Sequence, residues 1–147
     1  MSAFWRGWLV VWCLGVVAFG LVLAGGAFEA TSGPVLFVLE NLRGPGEVAL
    51  DPAMRFSLAV MGCVSLGWAA TMLAMMLAAF RLGEQARPIW TGLTIGVLVW
   101  FVTDSALSVA TGFGLNVIPN LVLLATYLVP VLATGRLRLS AASGQMA

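Results

Sequence analysis

The sequence predicts an all-α fold, an integral membrane four-helix bundle, and three observations predict it. Hydrophobic residues make up 61% of the 147 residues and charged residues 9%, whereas soluble domains are about 45 to 50% apolar. Charged residues divide the chain into four long apolar runs, each near the length of about 20 residues that crosses a bilayer as a helix. Prolines stand where the helices would begin. We expect a single membrane domain over residues 1–147.

The four apolar runs give the predicted spans, at about 8–28, 53–80, 89–111 and 120–134. The first run also resembles a signal peptide, but it is longer than the about 7 to 15 residues of a signal h-region, so we expect a retained span. Helix starts are predicted at Pro34, Pro52, Pro88 and Pro119, because proline suits the first helical position. Asp51 adds a cap before Pro52. Pro130 lies inside the last span, where it would free the carbonyl of Thr126 and kink the helix.

Arginines predict the orientation. Five of the seven basic residues fall on one side of this arrangement and two on the other, namely Arg6, Arg81, Arg87, Arg136 and Arg138 against Arg43 and Arg55. Because basic residues accumulate on the cytoplasmic side, we expect both termini in the cytoplasm. Four tryptophans near that side are interpreted as an interfacial aromatic belt, namely Trp5, Trp8, Trp12 and Trp90.

The long outer loop after the first span carries one further predicted helix. Residues 34–42 are almost wholly apolar and lie between Ser32-Gly33-Pro34, a helix start, and a glycine- and proline-rich stop at 43–46. Such a helix is too short to span a bilayer. We expect it to lie in the outer interface or to fold over the bundle as a lid.

The third predicted span contains one ionisable residue, Asp104, in its outer half. A charge in hydrocarbon costs about 2.5 to 3.5 kcal/mol on insertion scales, so this carboxylate indicates a partner or a task. Helical spacing places Ser108 and Thr111 in one polar stripe with it, beside Trp100. The stripe is expected to face the bundle interior or an aqueous cavity.

Asp104 can be tolerated in two ways, with a bound proton or with a cationic partner. Arg55, one turn into the outer end of the second span, is the leading predicted partner, and Arg43 is the next. Asn116 and Asn120, at the entry of the last span, are expected to add hydrogen bonds. An ion pair here would specify how the second and third helices pack. The alternative is a proton or cation site used in transport.

Small residues predict close helix packing, because they let backbones approach when lipid removes the hydrophobic drive. They form a GxxxG pair in the third span and a four-residue repeat in the second, at Gly92 and Gly96 and at Ala59, Cys63 and Gly67. These rows indicate either a tight bundle or self-association.

Three aromatic residues fall at mid-membrane depth, namely Trp68, Trp100 and Tyr127. They are candidates to line a site for a quinone, a carotenoid or a lipid tail. Helix packing is the preferred interpretation, and no cofactor is otherwise predicted.

No catalytic or metal site is predicted. The chain has no histidine, which removes the commonest general base and metal ligand, and it has no phosphate loop or matched pair of carboxylates. Met72, Met75 and Met76 are interpreted as packing residues rather than as Cu(I) ligands. The net charge of +1 gives no indication of a basic patch for nucleic acid or anionic lipid. We expect a non-enzymatic protein whose partners are membrane lipids and other membrane subunits, or itself.

Two features along the second and third spans carry a family resemblance. Arg55 opens the second span before Gly62 and Gly67, and the acidic and small polar pair Asp104-Ser105 stands near the end of the third. This order resembles the small bacterial four-helix inner-membrane proteins of the DoxX-like kind. The resemblance implies a four-helix membrane fold and an accessory role, and the long outer loop with its apolar helix departs from it.

The expected function is that of an accessory or assembly subunit of a larger membrane complex, or of a self-associating structural protein. The first alternative is a binding module for a hydrophobic molecule such as a quinone, a pigment or a lipid. The second is an oligomeric ion- or proton-coupled transporter that uses Asp104.

Overall fold

The computed structural model describes residues 1–43 and 48–137, and within them all regular structure is helical. The α-helices are α1 (Ala3–Gly25), α2 (Gly33–Arg43), α3 (Pro52–Leu82), α4 (Arg87–Ala110) and α5 (Val117–Ala133). Short 3-10 turns precede α2, α4 and α5, at Glu29–Thr31, Gly83–Ala86 and Gly114–Asn116. The prediction of an all-α fold is confirmed. Arg138, one of the arginines used for the predicted orientation, lies outside the described residues.

Three segments of the described chain are long and apolar enough to cross a membrane, namely Ala3–Gly25, Pro52–Ala110 and Gly114–Ala133. The middle segment is 59 residues long, far beyond the about 20 residues that one crossing needs. It consists of α3 and α4, which are separated where Gly83 adopts a φ of 61°, a conformation that glycine adopts without strain. By the length and composition of these helices, the chain is a membrane protein.

The outward faces of the helices carry many large apolar side chains. Phe56, Val64 and Leu107 are 71%, 65% and 64% exposed. Large continuous apolar surfaces are rare on proteins that meet only water, and they mark contact with lipid or with other proteins. The surface therefore agrees with helices embedded in a bilayer.

The start of α3 shows how the sequence defines a helix end. Asp51 accepts a hydrogen bond from the backbone N–H of Met54 at 2.7 Å, and Pro52 occupies the first helical position. The side chain thereby satisfies one of the backbone donors that the first turn leaves free. The predicted start of this helix is confirmed.

The four long helices pack in a closed ring. α1 makes its most extensive contact with α3, α3 also contacts α4, α4 contacts α5, and α5 returns to α1. α2 contacts α1 and the Gly114–Asn116 turn, and Val35 of α2 packs with Leu23 of α1 and Leu58 of α3. This short helix therefore covers the end of the ring at which α1 and α4 finish.

The crossing of α1 and α3 depends on glycine. A Cβ atom on Gly62 would overlap the backbone of Ala24 and would lie 2.7 Å from the carbonyl oxygen of Gly20. One on Gly26 would lie 2.8 Å from a terminal carbon of Leu58. Because these positions carry no side chain, the two backbones meet directly, which increases dispersion contacts between helices in lipid.

Pro130 lies inside α5, as predicted. Proline has no N–H, so the carbonyl of Thr126 loses its helical donor. The indole of Trp8 supplies a replacement, with Nε1 donating to Thr126 O at 2.8 Å. Trp12 Nε1 donates to Leu123 O at 2.9 Å. Two tryptophans of α1 therefore bind two carbonyls of α5.

The predicted aromatic belt is wrong for two of its four tryptophans. Trp12 is 5% exposed and Trp90 is 1% exposed, so both belong to the core. Trp90 packs against Phe80 with 5.8 Å between ring centroids. Trp8 is exposed and Trp5 is half-buried. The sequence indicates at what depth each tryptophan lies along its helix. It does not indicate whether the side chain faces the core or the outside.

Candidate functional site

A polar cluster joins the end of α4 to the start of α5. The amide nitrogens of Asn116 and Asn120 donate to the same oxygen of Asp104, Oδ2, at 2.9 and 2.5 Å. Asn116 also donates to Ser108 Oγ at 2.9 Å, and Asn120 to Ser105 Oγ at 3.2 Å. An amide nitrogen has two protons, so each asparagine directs both of them to α4.

Helical spacing and a tight turn assemble this cluster. Asp104 and Ser108 lie one turn apart on α4, and Asn116 and Asn120 lie one turn apart around the start of α5. Between them Gly112 adopts a φ of 85°, and the backbone N–H of the following residue donates to Ser108 O at 2.8 Å. A glycine in this conformation ends a helix and reverses the chain, which brings the two polar pairs face to face.

The predicted ionic partner of Asp104 is wrong. Arg55 Nη1 donates instead to Gly26 O at 3.2 Å, just beyond α1, whereas Asp104 accepts from neutral amides. The reason is that Arg55 is turned toward α1, the helix with which α3 makes its most extensive contact. Thr111, predicted in the same stripe, is exposed and donates to Leu107 O of its own helix at 2.8 Å, so it stays outside the cluster.

The cluster has the chemistry of an interhelical clamp. Asn120 and Ser108 are 6% and 9% exposed, and buried polar groups of this kind are normally hydrogen-bonded. The donors belong to the α5 side and the acceptors to α4, so the bonds hold the two helices in one register. The asparagines bind the side chain of Asp104 through neutral amide groups.

An aromatic row crosses the ring of helices, with one residue from each long helix. Trp12 lies 5.5 Å from Tyr127 and 6.2 Å from Trp68, and Trp68 lies 5.8 Å from Trp100, measured between ring centroids. These are the separations of packed aromatic pairs. The structure therefore brings together the three residues predicted as candidates to line a ligand site, and joins them through Trp12, which sequence reasoning assigned to the interface.

The hydroxyl of Tyr127 is satisfied inside the protein. The side chain is fully buried, and its hydroxyl lies 3.1 Å from Thr94 Oγ1, which donates to Trp90 O at 2.8 Å. A threonine hydroxyl carries one proton. The Thr94 hydroxyl donates this proton to Trp90 O, so we infer that Tyr127 is the donor to Thr94. This end of the aromatic row therefore packs helices together and directs no free polar group at a ligand.

The predicted rows of small residues face outward. Gly67, Gly92 and Gly96 are exposed, and a Cβ atom at any of them would meet nothing within 4 Å. Cys63 is exposed and Ala59 is half-buried. The glycines of these rows make no close contact within the chain, and the tight α1–α3 crossing uses other glycines. The spacing of small residues in the sequence identified these rows. It could not show whether the rows face the interior of the protein or the outside.

An apolar cleft of about 260 Å³ lies between α3 and α4 on this outward side. Its lining includes Trp68, Met72, Met75, Ile89, Gly92 and Gly96. The two glycines leave its floor open, and methionine side chains adapt to irregular apolar partners. The cleft has the chemistry to receive a ridge of another helix or an apolar molecule.

The sulfur atoms lie in packing positions. Cys13 is buried with Sγ 3.7 Å from Met76 Sδ, whereas Cys63 is exposed on α3, and both thiols are free. Within residues 1–43 and 48–137, no group of three or more histidine, cysteine or acidic side chains could hold a metal ion.

Comparisons of this chain with protein-family models, with curated proteins and with solved structures find no match. The resemblance to DoxX-like proteins is therefore neither supported nor refuted by them.

Proposed function

We propose that this protein is a four-helix bundle of the bacterial inner membrane, with both termini in the cytoplasm. We further propose that it acts as an accessory or assembly subunit, which packs the outward face of α3 and α4 against a transmembrane helix of a larger complex.

The arrangement of the arginines supports this topology. Arg87 Nε donates to Leu137 O at 3.4 Å, and Arg136 Nη1 donates to Gly83 O at 3.1 Å. The guanidinium of Arg6 lies 5.6 Å from the ring centroid of Phe80. The start of α1, the end of α3, the start of α4 and the end of α5 therefore meet at one arginine-rich end, as the positive-inside rule favours for the cytoplasmic side.

The outward glycines carry the functional proposal. Gly67, Gly92 and Gly96 lie inside long helices, yet a Cβ atom at each would meet no atom within 4 Å among the described residues of the other elements. Glycine weakens an isolated helix by about 1 kcal/mol relative to alanine, and at these three positions no close helix contact among the described residues requires it. Small residues on a membrane helix allow another helix backbone to approach closely.

The cleft beside these glycines fits a helical partner. It is lined by the flat ring of Trp68, by flexible methionines and by bare backbone at Gly92 and Gly96. A helix with a ridge of small or branched side chains would fill this groove, in the manner of ridges-into-grooves packing. If the partner helix belongs to a second copy of this chain, the same surface mediates self-association.

A hydrophobic molecule in the same cleft is the second candidate. The observation that favours it is Trp68, which borders the cleft and lies 5.8 Å from Trp100. A quinone ring, a pigment or a lipid tail would meet an aromatic wall there. Tyr127 does not contribute, because its hydroxyl is bonded to Thr94 inside the bundle.

The test is to block the groove without disturbing the fold. The double substitution Gly92→Leu and Gly96→Leu adds bulk where the chain has space, so the monomer should remain folded. Ala18→Leu, at an exposed position of α1, adds a leucine side chain away from the groove and serves as the control. Each tagged protein is extracted from its native membranes in mild detergent, and mass spectrometry identifies the proteins and lipid-soluble molecules that accompany it.

An accessory subunit should bring a stoichiometric membrane partner with the wild type and with Ala18→Leu, and lose it in the double variant. A stoichiometric small molecule lost in the same variant would favour the binding module. Self-association would appear as a dimer that the double variant converts to a monomer. If the wild type, Ala18→Leu and the double variant all retained the same partner, the outward face of α3 and α4 would not be the docking surface.

A further inference from the structure

The four long helices form two pairs, and each pair is held together by its own contacts. α1 and α3 make the most extensive contact between helices and cross tightly at Gly20 and Gly62. α4 and α5 are joined by the hydrogen bonds that Asn116 and Asn120 donate to Asp104. Both sets of contacts lie toward the end of the ring opposite the arginines, which we call the α2 end. Each pair is therefore complete there without the other.

The contacts that join the two pairs lie from the middle of the helices to the arginine-rich end. Near the middle, Trp68 of α3 packs against Trp100 of α4, and Trp12 of α1 donates to Leu123 O of α5. Three further contacts continue toward the arginines, namely Trp12 with Tyr127, Trp8 with Thr126 and Phe80 with Trp90. Among residues 1–43 and 48–137, no side-chain hydrogen bond or ring contact joins the helices of the two pairs nearer the α2 end.

The buried apolar core shows the same division. The main cluster takes residues from all four long helices, and its buried members nearest the α2 end are Val16, Ala69, Val97 and Leu124. Beyond them a separate cluster contains Leu23 of α1, Val35 of α2 and Leu58 of α3, with no described residue of α4 or α5. Regions with few shared buried apolar contacts open at a low cost in free energy. The two pairs are therefore least firmly joined at the α2 end.

α2 reaches both pairs at this end. The turn before it is tied to α1, because Thr31 Oγ1 donates to Gly25 O at 2.6 Å. Val35 is fully buried and packs with α1 and α3. α2 also contacts the Gly114–Asn116 turn, and Asn116 of that turn belongs to the polar cluster. The short helix therefore connects the α1–α3 pair to the α4–α5 pair.

We propose that α2 is a strap that holds the two pairs together at the α2 end. Its release lets the pairs separate there, while the aromatic row and the arginine-rich end keep them joined, as in a hinged opening. Asp104 and Ser105 are half-buried in the closed arrangement, and separation of the pairs would uncover them. The strap thus controls access to Asp104, the acidic residue of α4. This inference does not depend on the docking role of the outward face of α3 and α4.

The test measures the separation of the pairs by double electron–electron resonance on the full chain in detergent. Spin labels are attached to cysteines at two pairs of exposed positions on α3 and α4, namely Phe56 with Val109 at the α2 end and Leu77 with Ile95 toward the arginines. The background variant is Cys63→Ala, which removes the exposed thiol, whereas Cys13 is buried and escapes labelling.

Two substitutions in α2 form a matched set. Val35→Asp places a charge in the buried contact of α2 with α1 and α3 and should release the strap. Phe37→Asp introduces the same charge on the same helix at a side chain that is 68% exposed, so it is the control. Val35→Ala removes part of the same buried contact and decides the result if Val35→Asp does not fold.

The unsubstituted strap and Phe37→Asp should each give one narrow distance distribution for both pairs of labels. In Val35→Asp the mean distance between the labels at Phe56 and Val109 should increase by about 5 Å or more, the scale of one helical turn. The distance between the labels at Leu77 and Ile95 should stay unchanged, because the contacts on that side of the middle remain.

Three outcomes would overturn the strap. If neither substitution of Val35 changed the distance at the α2 end, α2 would not be what holds the pairs together. An equal increase for both pairs of labels would indicate that the whole ring had loosened. An equal increase in Phe37→Asp would indicate a general effect of added charge on α2 rather than loss of the buried contact.

Discussion

The indole N–H of Trp8 donates to the carbonyl oxygen of Thr126 over 2.8 Å, and this is the carbonyl that Pro130 deprives of its helical donor. The first and last helices of the chain are therefore joined at the point where the last one is interrupted. A proline that would leave a polar group unsatisfied in lipid becomes an attachment for a tryptophan from another helix.

Trp8→Phe should reduce the free energy of unfolding by about 0.5 to 1.5 kcal/mol, the net value of one hydrogen bond. In a Pro130→Ala background residue 130 can again donate to Thr126 O, so the same substitution should cost less. Unfolding in mixed detergent micelles, measured for the two single variants and the double variant, gives the coupling energy. A cost for Trp8→Phe that is the same in both backgrounds would contradict the link.

The polar cluster predicts that the acceptor at position 104 matters more than its charge. Asp104→Asn keeps an oxygen for Asn116 and Asn120, so the helix pair should remain assembled with little loss of stability. Asp104→Leu leaves both amides short of an acceptor and should destabilise the protein by about 1 to 3 kcal/mol. Thermal unfolding of the detergent-solubilised variants measures the difference.

If Asp104→Asn proved as destabilising as Asp104→Leu, the clamp made of neutral amides would be the wrong account. Flux assays in liposomes with Asp104→Asn test the transport alternative separately. A folded variant that lost a flux present in the wild type would favour transport.

Gly62 and Gly67 form a matched pair on α3. A Cβ atom at Gly62 would meet the backbone of α1, whereas one at Gly67 would meet nothing within 4 Å among the described residues. Gly62→Val should therefore cost about 1 to 3 kcal/mol or more through overpacking, while Gly67→Val should leave the stability of the monomer nearly unchanged. Unfolding midpoints in detergent at low protein concentration check this, and similar costs at the two positions would show that the crossing is wrongly placed.

Thr94 and Tyr127 should respond unequally to loss of their shared hydrogen bond. Tyr127→Phe removes the donor but leaves Thr94 bonded to Trp90 O, so we expect a cost of about 0.5 to 1.5 kcal/mol. Thr94→Val keeps the volume but leaves the hydroxyl of the fully buried Tyr127 without an acceptor, which should cost about 1 to 3 kcal/mol. Unfolding curves of the two variants, measured in parallel, show which one loses more stability. A greater loss of stability for Tyr127→Phe would contradict the assignment of Tyr127 as the donor.

The sequence by itself determined the helical class of this protein and the start of α3. Apolar runs of membrane length, the Asp51-Pro52 start and Pro130 inside the last helix are local features, because each depends on residues adjacent in the chain. The acidic and amide residues at 104, 116 and 120 could also be grouped in advance, since helical spacing and a short turn bring them together.

The tertiary structure decided which face of each helix is covered, because rotation about a helix axis depends on packing against the other helices. In lipid both faces of a helix are apolar, so hydrophobic periodicity gives no direction. For that reason Trp12 and Trp90 proved to be core residues, and Arg55 turned to Gly26 rather than to Asp104. For the same reason Gly62 forms the tight crossing, while Gly92 and Gly96 are left on the outside.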